Sequence, residues 1–271
     1  MTNEARIIRK TVLKMANLAK SPHIASALSC VDILHALYAE VMDIPIPPLQ
    51  KSFAKRDIFI LSKAHSAMAL YATLYHRGAI DEEKLLGYYK DNGTLPAHTD
   101  RNTSPYIEIS AGSLGHGLCI AVGMAMAIQK EQNNYGDSRS VFVLMGDGEI
   151  QEGSVWEAAM LASKLRLYNL IALIDRNDLQ GYGRASELVD YEPLEDKWRA
   201  FGWECVRVDG HNERDIIKVI KDFRRKKIQK PFCVICDTIK GKGVSFMEDA
   251  LKWHYFLVSD EILKSALEEI G

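Results

Sequence analysis

The chain has 271 residues, of which 47% are hydrophobic and 26% are charged. These values are typical of a folded globular protein, and the length suffices for one large domain with a well-buried core, so extensive disorder is excluded. The formal net charge of −2 gives no electrostatic reason to expect binding to nucleic acid or to an anionic membrane.

The sequence offers no reason to place the chain outside the cytoplasm. The first ten residues lack the apolar core of a secretion signal, and the longest small-apolar run, Leu118–Ile128, is too short and glycine-rich to cross a bilayer. Five cysteines without the spacing of a disulfide framework fit a reducing compartment. Cys233 and Cys236 are three apart on a predicted strand, so we expect two core cysteines on opposite faces. We therefore predict a cytoplasmic protein.

The N-terminal segment is predicted to be helical. Apolar and basic positions alternate at helical spacing from about Asn3 to Lys20, which predicts an amphipathic first helix. Ser21-Pro22-His23 interrupts it. A second helix is expected to start near Ser29, with Asp32 in its first turn completing a capping box.

A short apolar run, Asp57–Leu61, predicts a strand that leads directly into a helix ending near Gly78. His65 lies between the two, at the carboxyl end of the strand and the start of the helix, where anions bind in many proteins. A single histidine there is more often a cap or a packing residue, so its position alone does not predict a function.

The most informative stretch runs from Ser140 to Asn177. A β-branched apolar run stops at Gly146–Gly148, a helix-period segment follows, and a second apolar run leads to Asn177. This is the pattern of a parallel βαβ unit, in which both strands end at the same edge of the sheet. Asp147 and Asn177, 177 − 147 = 30 positions apart, are therefore expected to converge at that edge.

The residue types at this edge indicate the ligand. Asp and Asn side chains plus a loop carbonyl are hard oxygen donors, which suit Mg²⁺ or Ca²⁺ better than zinc. A single carboxylate leaves the cation with excess charge, so it would recruit an anion such as a diphosphate. Gly146 and Gly148 remove side chains where the backbone must approach that anion closely.

The remaining elements extend the α/β pattern. We predict a strand at Trp203–Val208, a helix over Arg214–Gln229 and a strand at Phe232–Thr238. The basic run at 224–227 is expected to be a solvated helix face, and Lys240–Gly243 a flexible basic loop at the same sheet edge. The predicted fold is a doubly wound, mostly parallel α/β sheet with helices on both faces, in one domain over residues 1–271.

The stretch Gly146–Asn177, GDGEIQEGSVWEAAMLASKLRLYNLIALIDRN, resembles the thiamine-diphosphate motif of transketolases. The resemblance implies the thiamine-diphosphate-binding fold, with the chain as its diphosphate-binding domain. It also implies that Asp147, Asn177 and the Leu179 carbonyl hold Mg²⁺, with Ca²⁺ as a substitute, and that the metal bridges the cofactor's diphosphate.

The resemblance extends over most of the chain and implies roles for histidines on loops. SPHIASALS is similar to the family segment that faces the sugar, and LPAHTD is similar to one that lies near the thiazolium carbon and the donor hydroxyls. The late Trp253-His254 is similar to a segment whose histidine touches the diphosphate or the substrate, whereas SKAHSA and SLGHG are similar to segments that lie against the cofactor. Glu152 is implied to lie at a subunit interface. The implied catalytic residues are His23, His98 and His254, and the implied cofactor-binding residues are His65, Gly115, His116, Gly146, Asp147, Gly148, Glu149 and Asn177.

The chain departs from the family pattern near the expected substrate entrance. The His23 segment lacks both of the family's glycines, Ala64 replaces a glycine, and Tyr182 stands where relatives usually carry Asp. The metal-site residues do not depart. A nonstandard sugar is therefore possible, and the resemblance leaves the donor, the acceptor and the pathway open.

Full-length transketolases carry two further domains, which complete the cofactor site. We expect the pyrimidine-binding and C-terminal domains on a separate chain, so that this chain is the N-terminal subunit of a split transketolase. It would act on a sugar phosphate or related sugar in an A2B2 heterotetramer and be inactive alone.

Two other functions remain open at this point. The α subunit of a 2-oxoacid dehydrogenase shares the GDG…N module, although the loop histidines and Trp253-His254 fit sugar handling better. A non-catalytic, regulatory partner with a vestigial site is the third possibility, and the intact Asp147 and Asn177 argue against it.

Overall fold

Five strands form a parallel sheet at the centre of the computed structural model, which describes residues 2–46, 55–135, 139–226 and 228–271. Their order across the sheet is first, second, third, fifth, fourth, and each neighbouring pair is parallel. All carboxyl ends therefore lie at one edge. The strands are β1 (Ile58–Leu61), β2 (Val141–Gly146), β3 (Leu170–Arg176), β4 (Glu204–Asp209) and β5 (Phe232–Asp237).

Helices pack on both faces of this sheet, as the alternation of strand side chains requires. The bounds are α1 (Asn3–Ala19), α2 (Ile24–Ser29), α3 (Val31–Ala36), α4 (Ala67–His76), α5 (Glu82–Leu86), α6 (His116–Tyr135), α7 (Gly153–Lys164), α8 (Ala185–Leu188), α9 (Leu194–Ala200), α10 (Glu213–Lys226) and α11 (Asp260–Ile270). A π-helical turn covers Leu37–Val41, and 3-10 turns cover Ala64–Ser66, Glu149–Gln151 and Leu251–His254.

Two apolar cores form, one on each face. Phe142 and Leu144 of β2 belong to the core made with α1 to α4 and α10, whereas Val143 belongs to the core made with α6, α7 and α9. The predicted doubly wound α/β fold is confirmed. Cys233 and Cys236 are both buried and belong to different cores, so the prediction of two core cysteines on opposite faces is also confirmed.

The helix predicted from near Ser29, with Asp32 in its first turn, is α3, which begins at Val31. The short helix α2 was not predicted; it covers Ile24–Ser29, and the whole segment is buried and packs on α1 and α4. The predicted capping box is wrong. Asp32 instead forms a buried ion pair with Arg9 at 2.7 Å and accepts a hydrogen bond from His211, also at 2.7 Å.

The basic run on α10 is only partly solvated. Arg224 donates to the Val41 carbonyl at 3.1 Å and to Asp57 at 3.3 Å, so its prediction as part of a solvated face is wrong. Arg225 is exposed as predicted, and Lys227 lies outside the described residues. Within the described part of the chain, no helix is long and apolar enough to cross a membrane.

Candidate active site

A cavity of about 290 Å³ opens at the carboxyl edge of the sheet. Its walls come from the segments that follow β1, β2, β3 and β5, together with the start of α2 and the 3-10 turn at Leu251–His254. Ligands of open parallel sheets bind at this edge. Of the predicted site residues, His23, His65, His98, Gly146, Asp147, Gly148, Glu149, Asn177, Leu179 and His254 line the cavity, whereas Gly115 and His116 do not.

The two predicted metal-binding side chains lie in this cavity. Asp147 is 3% exposed, and its carboxylate accepts hydrogen bonds from the backbone N–H of Gly148 at 2.8 Å and of Asp178 at 2.5 Å. Burial, together with the nearby Asp175, raises the pKa of Asp147 to about 6. A divalent cation would stabilise the ionised form of this buried carboxylate. The carboxylate and the side-chain amide oxygen of Asn177, which lines the same cavity, are the oxygen ligands that such a cation prefers.

Among the described residues, no group of three or more His, Cys, Asp or Glu side chains is placed to hold a metal. The predicted ligands, the Asp147 carboxylate, the Asn177 amide and the Leu179 carbonyl, are not a group of this kind, and their binding of a metal stays a prediction. Asn177 Oδ1 also accepts a hydrogen bond from the Leu179 N–H at 3.1 Å, which shapes the loop that presents the Leu179 carbonyl. Such a set leaves coordination positions for an anionic ligand.

Lys240 is buried beside this set, where a flexible loop was predicted. Its side chain is 2% exposed, and Nζ lies 2.5 Å from the Leu179 carbonyl oxygen and 2.7 Å from Nδ1 of His254. Burial, with a further contribution from Lys63, lowers the pKa of Lys240 to about 8. The flexible-loop prediction is wrong at Lys240, because contacts with two distant segments hold the side chain in the interior.

A second buried lysine, Lys63, also lines the cavity. Lys63 pairs with Asp175 and donates to the Ser26 carbonyl at 3.1 Å. Asp175 also accepts hydrogen bonds from Ser29 at 2.5 Å and from Thr238. Burial opposes the charged form of Asp175, but Lys63 and these hydroxyls hold the pKa of this carboxyl below its usual value. The contacts of Lys63 and Asp175 therefore connect α2, the segment after β1, β3 and the segment after β5 at the site.

Three histidine rings cluster on one wall of the cavity. The ring centroid of His23 lies 5.3 Å from that of His65 and 5.0 Å from that of His254. Burial, followed by the charges of neighbouring groups, lowers the pKa of His23 to about 4 and that of His254 to about 3, and it lowers the pKa of His65 well below 6.5. These imidazoles are therefore neutral at physiological pH. His98 lines the cavity nearby, and burial lowers its pKa as well.

His23 is held in an unusual conformation. Its φ of 67° is in the left-handed region, and its backbone N–H donates to the His254 carbonyl at 2.9 Å. Ring atom Nδ1 is buried without a hydrogen-bond partner among the described residues. A strained residue with an unsatisfied buried polar atom in a cavity is a common feature of ligand-binding sites.

Three comparisons with known proteins bear on this site. Residues 2–271 match the family model described as "Transketolase, thiamine diphosphate binding domain". The chain belongs to the transketolase family. It is 40% identical to one subunit of the apulose-4-phosphate transketolase of Phocaeicola vulgatus (97% of this chain, 91% of the relative) and 38% identical to 6-deoxy-6-sulfo-D-fructose transketolase subunit SqwG of a Clostridium species (100% and 96%).

A solved transketolase from Campylobacter jejuni superimposes with a TM-score of 0.87 at 30% identity, over 99% of this chain and 42% of that chain. The chain thus spans less than half of a solved transketolase but nearly all of two transketolase subunits. The resemblance to transketolases read from Gly146–Asn177 is confirmed, and the comparisons do not favour the 2-oxoacid dehydrogenase alternative.

In this transketolase fold, Glu149 connects the loop before α6 with the end of β2. Its carboxylate is 1% exposed and accepts hydrogen bonds from the N–H of Gly115 at 2.9 Å, from the N–H of Gly146 at 3.3 Å and from Ser62. Gly115 has a φ of 83°, and a Cβ there would lie 2.7 Å from the Cβ of Glu152, so this close approach requires glycine.

The structure places His116 and Glu152 at the surface. His116 is exposed at the start of α6, where its ring contacts the carbonyls of Ser113 and Leu114 at 3.2 and 3.1 Å. Leu114, and not His116, lines the cavity, so contact between His116 and the cofactor stays a prediction. Glu152 is exposed just before α7, as a residue at a subunit interface would be in an isolated chain.

Sequence reasoning missed Lys63, Lys240 and Tyr255 as cavity residues. The sequence does indicate that the two lysines lie near the site, because each follows the carboxyl end of a predicted strand at the edge where Asp147 lies. For Tyr255 the sequence gives a weaker indication, which is its position next to His254. In each case the sequence identifies the edge but not the direction or burial of the side chain.

Proposed function

We propose that this chain is the diphosphate-binding subunit of a thiamine-diphosphate-dependent transketolase, which moves a two-carbon ketol unit from a ketose to an aldose. The observation that carries the proposal is the placement of Asp147 and Asn177 in the same cavity as the neutral imidazoles of His23, His98 and His254. One cavity therefore offers oxygen ligands for a metal–diphosphate group and polar groups for a sugar.

The residues at the cavity floor suit the cofactor. Asp147, Asn177 and the Leu179 carbonyl would hold Mg²⁺, and Lys63 and Lys240 would offset the charge of the diphosphate. Gly146 and Gly148 would let the backbone approach it, and His65 would contact it. When bound, thiamine diphosphate supplies a carbon nucleophile and stores the electrons of the broken carbon–carbon bond.

The histidines on the wall would handle protons at sugar hydroxyls. Their lowered pKa values keep them neutral, so each ring offers one donor and one acceptor. The ammonium of Lys240 has only donors, so Nδ1 of His254 accepts its hydrogen bond. The proton of His254 is then on Nε2, which can donate to a substrate oxygen.

A partner chain completes the proposed enzyme. It would carry the pyrimidine-binding and C-terminal domains, in an A2B2 heterotetramer located in the cytoplasm. The substrate would be a ketose phosphate or a related anionic ketose. Two relatives whose names specify a sugar phosphate and a sulfonated sugar support this class without identifying the sugar.

The test is product analysis with two donor types. This chain and its partner, with thiamine diphosphate and Mg²⁺, are given ribose 5-phosphate as acceptor and either xylulose 5-phosphate or pyruvate as donor. The proposal predicts a seven-carbon ketose phosphate from the ketose and no decarboxylation of pyruvate. Decarboxylation without ketol transfer would overturn it in favour of a 2-oxoacid enzyme. Cofactor binding with no turnover of any ketose would support a regulatory role.

A further inference from the structure

Three side chains form a network beside residues 239–243 (the Lys240 loop), which carry Lys240 into the cavity. The carboxylate of Asp32, on α3, is 1% exposed. The guanidinium of Arg9, on α1, donates to both of its oxygens, at 2.9 and 2.7 Å. Nδ1 of His211, which follows β4, lies 2.7 Å from the second of these oxygens. None of the three side chains lines the cavity, so the proposed function does not yet give this network a role.

His211 holds the Lys240 loop on the N-terminal side of Lys240. The backbone N–H of Ile239 donates to Nε2 of His211 at 2.8 Å. Because a backbone N–H can only donate, Nε2 accepts, and the ring proton is on Nδ1, from which it is donated to Asp32. The imidazole therefore connects a buried carboxylate to the backbone of the residue next to Lys240.

Arg9 holds the same loop on the C-terminal side of Lys240. Its Nε donates to the Lys242 carbonyl at 2.9 Å. The backbone at Gly243 has a φ of 100° and approaches Arg9 so closely that a Cβ there would lie 2.9 Å from Cδ of the arginine. The Arg9–Asp32 ion pair thus supports the loop on both sides of Lys240, directly through Arg9 and through the histidine bonded to Asp32.

The contacts of Lys240 depend on where its backbone lies. Nζ reaches both the Leu179 carbonyl and Nδ1 of His254 from a side chain that is 2% exposed. Holding a long lysine side chain in one conformation costs rotamer entropy, so a backbone that moved freely would make both contacts less populated. A fixed loop removes part of that cost.

We infer that His211 is a positioning residue: through its bonds to Asp32 and Ile239 it fixes the Lys240 loop, and so holds the Lys240 ammonium at the proposed diphosphate end of the cavity. The inference rests on the proposed function, because this position affects the reaction only if the ammonium offsets the charge of a diphosphate. His211 itself lies outside the cavity lining and acts only through Lys240.

The experiment measures the Kd for thiamine diphosphate at fixed Mg²⁺ by calorimetric titration of the chain assembled with its partner. In His211→Asn the shorter amide can still donate to Asp32 but cannot reach the N–H of Ile239, and the Kd should rise about fivefold. His35→Asn is the matched control. His35 and His211 are 15% and 14% exposed, and each has Nδ1 2.7 Å from a carboxylate, but the partner of His35 is Glu213. The Kd of His35→Asn should stay within about twofold of wild type.

A double-mutant cycle separates positioning from general damage. Because His211 acts through Lys240, adding His211→Asn to Lys240→Met should raise the Kd less than about twofold further. An equal fold-change of the Kd in both backgrounds would overturn the inference, as would wild-type affinity in His211→Asn. Should His211→Asn fail to assemble, His211→Leu, which also lacks the acceptor, takes its place in the cycle.

Hydrogen exchange followed by mass spectrometry tests the position of the loop without cofactor. Amide exchange in the Lys240 loop should become faster in His211→Asn and stay unchanged in His35→Asn. Unchanged exchange in both variants would overturn the inference and leave the proposed function intact. If the wild-type pair binds no thiamine diphosphate, the proposed function fails, and this inference fails with it.

Discussion

The ammonium of Lys240 lies 2.7 Å from Nδ1 of His254, and both side chains line the cavity at the carboxyl edge of the sheet. The same ammonium donates to the Leu179 carbonyl, which is a proposed metal ligand. One buried cation thus connects the proposed metal and diphosphate end of the site with a histidine that would face the sugar. The contact also places the proton of His254 on Nε2.

Replacing Lys240 should weaken cofactor binding. Lys240→Met removes a buried positive charge close to the proposed diphosphate position, and we expect the Kd for thiamine diphosphate to rise at least about tenfold in the assembled enzyme. Calorimetric titration with cofactor at fixed Mg²⁺ measures the change. Lys242→Met is the control, because Lys242 is partly exposed and pairs with Glu248 at 3.2 Å. Equal affinities in the two variants would exclude this role for Lys240.

The Lys63–Asp175 pair should be a major source of stability. Lys63→Met leaves the Asp175 carboxylate buried without its counter-charge, and losing one member of a buried pair costs about 3–5 kcal/mol in the free energy of unfolding. Lys63→Met combined with Asp175→Asn should recover much of that loss, because no unpaired charge remains. Urea denaturation followed by tryptophan fluorescence compares wild type with the single and the double variant. A single variant within about 1 kcal/mol of wild type would contradict this account.

His35 should contribute stability that depends on pH. Its hydrogen bond to Glu213, at 2.7 Å, raises its pKa above 6.5 against the effect of burial, and Glu4 and Asp32 add to the increase. A raised pKa stabilises the folded chain fully below pH 6.5, and this contribution is lost as the pH rises through the folded-state value. His35→Gln should therefore lower the free energy of unfolding by about 0.5–1 kcal/mol near pH 5.5 and by less near pH 8.

His76 provides a control of opposite sign for this measurement. Partial desolvation lowers the pKa of His76 although the residue is exposed, so the native residue is disfavoured as the pH falls below 6.5. The effect of His76→Gln on the free energy of unfolding should therefore become smaller toward low pH, whereas that of His35→Gln becomes larger. Parallel pH profiles for the two variants would show that the trend is not due to these pKa shifts.

The sequence was most informative where the relevant interactions are local. The unit from β2 to β3 was predicted correctly because its apolar runs, its glycine turn and its Asp147–Asn177 spacing are all contiguous. The capping box predicted at Asp32 is wrong because the partners of this carboxylate, Arg9 and His211, are 23 and 179 positions away in the sequence.

The cavity illustrates the same limit at the site. Lys240 contacts Leu179, which is 61 positions away, and Tyr255 approaches Gly181 across the opening. Nothing in the composition of Lys240–Gly243 distinguishes a buried lysine from a solvated one. Such burial depends on how the loops after separate strands pack together, which neither periodicity nor spacing encodes.

Ketol transfer by this chain, measured without and then with its partner, tests the central claim most directly. The assay uses thiamine diphosphate, Mg²⁺, xylulose 5-phosphate and ribose 5-phosphate. We predict activity only in the mixture, loss of that activity in Asp147→Ala, and its retention in Asp196→Ala, since Asp196 is an exposed carboxylate on α9. Full activity of the chain alone, or of Asp147→Ala in the mixture, would contradict the account.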